Sequence, residues 1–137
     1  EVVDFFCDWT AFFKTIRPYL QEYQHILPPP DGIHPDGSAH LIDGQGFMVL
    51  CNPADKPASI TWEEILTEPE LEFNLDSTIN LTDWTKPLSP VKLSSVNLTK
   101  PRGSISMEPL SYRVIGVNVD IKAISDGIRR NRVSYKN

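Results

Sequence analysis

Apolar residues recur at three- and four-residue steps from Val2 to about Tyr23: Phe5, Phe6, Trp9, Phe12, Phe13, Ile16, Tyr19, Leu20 and Tyr23. That spacing is the period of one helix face and predicts an α-helix. Asp4 and Asp8 near its start suit the positive end of a helix dipole. Pro18 fits a helix interior poorly and predicts a break near Arg17. Phe5/Phe6 and Phe12/Phe13 are adjacent pairs, and neighbours on a helix point about 100° apart. The predicted helix is therefore apolar on more than one side, which calls for burial on more than one side. Pro28-Pro29-Pro30-Asp31-Gly32 then stops any helix and predicts a stiff, extended linker.

From Gly37 to about Asp120 the pattern changes to strand and turn. Two apolar runs flank a tight Asp43-Gly44 turn, and the second ends at Asn52-Pro53. Leu71, Phe73 and Leu75 alternate with Glu72 and Asn74, as in a half-buried strand. Ile79 and Leu81 alternate similarly. Val91 and Leu93, then Ile105 and Met107, form short runs, and Tyr112 to Val119 is the longest. Runs spaced roughly ten residues apart with turn residues between predict an antiparallel β-sandwich of Ig-like, Greek-key type. Val49, Leu50, Leu71, Phe73, Val114 and Val117 are its predicted core. Thr61-Trp62-Glu63-Glu64 matches a capping box, so Trp62 to Leu66 reads as either a helical turn or a strand. Ile121, Ile124 and Ile128 predict a short terminal helix, in a segment made basic by Lys122, Arg129, Arg130, Arg132 and Lys136. The expected organisation is a helical arm over 1–28, a linker over 29–36, a β region over 37–120, and a short helix and tail over 121–137.

The 137 residues suit one domain, large enough to bury roughly two-thirds of its unfolded surface. Cys7 and Cys51 lie in apolar contexts and read as two buried free thiols rather than a disulfide. The net charge of −5 argues against nucleic acid and anionic membranes, which need a basic surface. No apolar run approaches the ~20 residues of a membrane span.

Candidate chemistry is sparse. Glycoside cleavage needs two carboxylates held across the bond. Glu63 and Glu64 are adjacent, Glu68, Glu70 and Glu72 alternate, and all read as solvated faces. His34 and His40 with Asp31 and Asp36 form a conceivable metal set, but turns built on Asp-Gly pairs account for them more simply. No catalytic, cofactor-binding or metal residue is assigned. Asn80-Leu81-Thr82 and Asn97-Leu98-Thr99 are glycosylation sequons. Trp84 and Trp62 are the candidate carbohydrate contacts, as flat platforms for sugar rings, against the alternative that both are core.

Several runs together carry a resemblance. They are Phe13-Lys14-Thr15-Ile16-Arg17, Pro30-Asp31-Gly32, Asp36-Gly37-Ser38-Ala39-His40, Leu50-Cys51-Asn52-Pro53-Ala54-Asp55-Lys56-Pro57 and Pro109-Leu110-Ser111-Tyr112-Arg113-Val114-Ile115. Over residues 12–57 and 103–117 the chain resembles the C-terminal β-sandwich of multidomain, alpha-galactosidase-like glycoside hydrolases, in which a (β/α)8 catalytic barrel precedes the sandwich. The stretch from Ala58 to Arg102 departs from that pattern. The resemblance implies a fragment: a non-catalytic domain supporting a barrel absent from this chain, with the helical arm a remnant of the last barrel helix. It also implies a secreted or periplasmic parent involved in carbohydrate metabolism. Phe5, Trp9, Phe12 and Phe13 are the implied interdomain contacts, and self-association through the arm is expected when the barrel is missing. The competing expectation is a stand-alone carbohydrate-binding module. Buried tryptophans with an exposed apolar helix face would favour the first, and a row of exposed aromatics on one sheet face the second.

Overall fold

A computed structural model describes residues 2–68, 71, 73 and 77–136, with side chains through Arg132. The amino-terminal period forms a helix, α1 (Val2–Leu20), with Ala11, Phe12 and Ile16 buried. The break expected near Arg17 does not occur, and Pro18 lies inside the helix. Proline in a helix costs about 3 kcal/mol. Burial of Phe12 and Ile16 contributes roughly 1.5–3 kcal/mol each, enough to hold the last turn. The 1–28 segment is not all arm: β1 (Gln24–Ile26) follows, its Ile26 side chain fully buried.

β2 (Asp36–Ile42) and β3 (Gln45–Asn52) form the expected hairpin. Asp43 and Gly44 both have positive φ, 53° and 74°, the feature of turns whose twist matches the flanking strands. β4 (Ala58–Thr61) leads into α2 (Trp62–Leu66), which settles the ambiguous segment as helix. Thr61 Oγ1 accepts from the Glu64 N–H and Glu64 Oε2 from the Thr61 N–H, so the predicted capping box is complete. Then come β5 (Thr78–Ile79), β6 (Leu81–Asp83), β7 (Val91–Lys92), β8 (Val96–Asn97), β9 (Ser104–Met107), β10 (Ser111–Val117) and α3 (Ile121–Lys136). The last helix has 16 residues, longer than the short helix expected. Asp120 caps it, its carboxylate accepting from the Ala123 N–H.

The chain is mainly β, with helices at its two ends. Six strands make one antiparallel sheet in the order β1-β2-β3-β10-β6-β7, and β4–β9 and β5–β8 make two separate two-stranded ribbons. β10 sits in the interior, paired with β3 along seven residues and with β6 along three.

Side chains alternate across a strand, so the sheet has two apolar faces. Phe47 and Val114 point to one, where Phe12, Ile16, Trp84, Ile124 and Ile128 close a core beneath α1 and α3. Met48, Leu50, Ile115 and Val117 point to the other, where the ribbons and α2 supply Ile60, Trp62, Ile65, Ile79, Ile105 and Met107. Of the predicted core, Leu50, Val114 and Val117 are buried. Val49 is only half-buried, because its stretch of sheet lies beyond the cover of α1. Leu71 and Phe73 are half-buried at the margin of the second core and lie in no strand. Glu70, Glu72, Asn74 and Leu75 of that predicted strand fall outside the described residues. Cys7 and Cys51 are free, and both are half-buried rather than buried.

α1 and α3 pack side by side. Asn131 Nδ2 donates to Thr15 Oγ1 at 2.9 Å. The Arg132 guanidinium lies 2.7 Å from Asp8 and 3.8 Å from Asp4. The nearer contact is not aligned as a hydrogen bond, so it acts as a charge contact. The acidic start of α1 thus meets the basic end of α3.

Candidate functional site

The inward stripe of α1 starts an aromatic chain. Phe12 stacks on Trp84, with ring centres 6.0 Å apart, and meets Phe47 edge-on at 5.5 Å. From Phe12 the contacts run outward through half-buried Trp9 to Phe5, Phe13 and Tyr112. Phe5, Phe6 and Phe13 are 52%, 62% and 48% exposed. The two-sided apolarity of the helix leaves one side in the core and the other open. Between α1 and the outer ends of β3 and β10 lies an apolar groove of about 410 Å³, lined by Phe6, Trp9, Phe13, Leu20, Val49 and Tyr112 among others. Of the four residues expected at an interdomain contact, Phe5 and Phe13 are on this open side and Trp9 is half-buried beside it. Phe12 is not available: it is fully buried.

The tryptophans expected to carry sugar are core residues. Trp84 is 0% exposed. Phe12 stacks on its ring, Phe47 meets it at a steep angle, and its indole N–H donates to Thr82 Oγ1 at 2.7 Å. Trp62 is buried among the second-core residues. A buried ring has no free face on which a sugar can stack, so neither serves as a platform.

The polar candidates separate in space. Asp31 accepts from the Ile33 and His34 N–H groups and pairs with His34 Nδ1 at 2.6 Å. The side-chain bond from His34, with the backbone N–H bonds behind it, holds the Asp31 carboxyl well below the usual carboxylate range. His40 is used elsewhere: Nδ1 bonds the Glu22 carbonyl at 2.6 Å and Nε2 the Ser38 hydroxyl at 3.0 Å. Asp36 lies on β2 opposite Cys51 of β3. Burial, with the Asp36 charge adding, pushes the Cys51 thiol up. Among the described residues no group of three or more His, Cys, Asp or Glu is placed to hold a metal ion. Glu64 is spent on the capping box, and Glu63 is exposed beside it.

One constellation had no signal in the sequence. Asp83 at the end of β6 and Arg113 on β10 lie 30 positions apart and meet at 2.7 Å. The register places Asp83 opposite Ile115, so Arg113, two residues along, shares its face. The Asp83 side chain is 9% exposed. Oδ1 accepts from the Thr85 N–H at 2.8 Å and Oδ2 from Arg113 Nη1. They form the polar wall of a cleft of about 620 Å³ that also includes Lys86, Ser89, Val91, Glu108 and Leu110.

Compared with protein-family models, curated proteins and solved structures, the chain matches none of them.

Proposed function

We propose that this chain is a non-catalytic β domain of a glycoside hydrolase-like protein, packing against and supporting a catalytic (β/α)8 barrel. The observation that carries the reading is the open apolar groove on α1, with Phe5, Phe6 and Phe13 exposed at its rim. An exposed apolar patch of this kind marks an interaction surface. The burial of Trp84 and Trp62 supports the same reading over a stand-alone carbohydrate-binding module resting on those rings. In this reading the architecture is a sandwich of Greek-key type whose second layer is divided into the two ribbons. The barrel is the occupant of the groove because the residues that resemble a last barrel helix, Phe13 to Arg17, lie on the helix that forms it.

Three experiments test this. The coding sequence upstream of Glu1 is expected to add roughly 250 residues of alternating strand and helix periods. An upstream sequence without them overturns the reading. In the isolated chain, light scattering is expected to detect self-association, relieved by Phe6→Ser with Phe13→Ser without loss of folded signal. A clean monomer at high concentration that binds no hydrophobic dye contradicts an open docking face. The isolated chain is also expected to turn over no chromogenic galactoside, glucoside or N-acetylgalactosaminide, since the paired carboxylates would lie on the barrel.

A further inference from the structure

The geometry points to a second site: we propose that the cleft beside Asp83 and Arg113 binds a neutral sugar ring. Its volume, about 620 Å³, lies within the range of small-molecule pockets, roughly 300–1,000 Å³. The polar wall is already organised. Asp83 is almost fully buried, and its two oxygens are held by the Thr85 N–H and by Arg113. Arg113 spends one further donor on the Ser106 carbonyl at 3.3 Å. A guanidinium carries five N–H donors, so others remain, on a side chain 35% exposed. An anchored guanidinium gives directional bonds at little ordering cost.

Charge selects the ligand class. Asp83 and Glu108 are balanced by Arg113 and Lys86 around the same cleft. A strong anion would meet two carboxylates there, and a strong cation two basic groups. A neutral polyhydroxyl ligand can donate to the acids and accept from the bases. Val91 and Leu110 add the apolar part: both line the cleft, and they are 58% and 73% exposed. Apolar surface beside directional polar groups suits a pyranose, which has one apolar face and a polar rim. The inference does not depend on a docked barrel, since the cleft and the apolar groove have only Tyr112 in common.

Amide chemical shifts of the whole chain, titrated with methyl α-galactoside, methyl β-glucoside and N-acetylgalactosamine, test the proposal, with inorganic phosphate and glucosamine as charged controls. Saturable shifts are expected at residues 83–89 and 108–113, with millimolar dissociation constants for at least one glycoside. Lys86→Ala and Val91→Ser, both at exposed positions that line the cleft and not the groove, are expected to weaken binding about tenfold each while leaving the fold intact. Phe6→Ser, which touches only the groove, is expected to leave sugar binding unchanged, so the cleft and the docking face fail separately. No saturable shift up to about 20 mM of any glycoside overturns the proposal. So does binding by phosphate alone, or sugar binding indifferent to both cleft variants.

Discussion

Gly116 is the residue that makes room for Trp84. On β10 it stands opposite Thr82 of β6, on the face that Trp84 fills. A Cβ there would come within 2.7 Å of the indole nitrogen and 2.5 Å of Thr82 Oγ1, the atoms joined by the buried hydrogen bond. Gly116→Ala is expected to destabilise the chain by roughly 1–3 kcal/mol through overpacking, read as a lower urea midpoint with unchanged slope. Asp31 offers a prediction about protons. Its folded-state carboxyl is lowered from the ordinary 3.8, chiefly by the His34 side chain. A lowered carboxyl favours folding above the ordinary value, and that preference is lost as pH falls through the folded-state value. The pair is solvent-exposed, so the effect on stability is small. Titration of the Asp31 carboxyl carbon by NMR is expected to give a midpoint below that of other carboxylates, moving back toward 3.8 in His34→Ala. Neither Gly116 nor Trp84 announced its role in the sequence. The turn-like neighbours of Trp84, Thr82-Asp83 and Thr85-Lys86-Pro87, suggest exposure, while its ring lies in the core.

Elements were legible where a local rule governs them. The 3.6-residue period of α1, the Asp43-Gly44 turn and the capping box at Thr61 each depend on residues within a few positions of one another. Thr61→Ala removes the acceptor for the Glu64 N–H. It is expected to cost about 1 kcal/mol, measured by thermal or chemical unfolding. Thr61→Ser, which keeps the oxygen, is expected to cost less than half of that. Elements that depend on distant partners were misread. Pro18 argued for a break that the packing of Ile16 overrides. β1 lies in the segment assigned to the arm because Gln24, His25 and Ile26 show too few residues to reveal a period of two. The length of α3 depends on contacts with α1, through Thr15 and Asp8, that its own composition does not disclose.

The whole molecule is organised by one sheet covered on both sides, and the mainly β class was readable from strand spacing. The division of the second layer into ribbons was not, because pairing of β4 with β9 and β5 with β8 joins residues far apart in the chain. The adjacent phenylalanine pairs marked α1 as apolar on more than one side, and only its inward side is buried. The Asp83–Arg113 cleft was invisible, since nothing local links positions 30 residues apart. The place of β10 has a consequence for how the chain is made. Its partners on β3 lie about sixty to seventy positions earlier. During synthesis β1, β2 and β3 leave the ribosome before the strand that pairs with β3, and they wait for it while some sixty further residues are translated. Such late, distant closure slows folding and leaves a strand edge open to the wrong partner. Ending translation after Pro109 should therefore remove more than β10 and α3 themselves. Without β10 the hairpin and β6–β7 have no common neighbour. The shortened product is expected to show no cooperative unfolding transition and to aggregate, and a soluble product that melts cooperatively would show that the earlier strands can assemble without it.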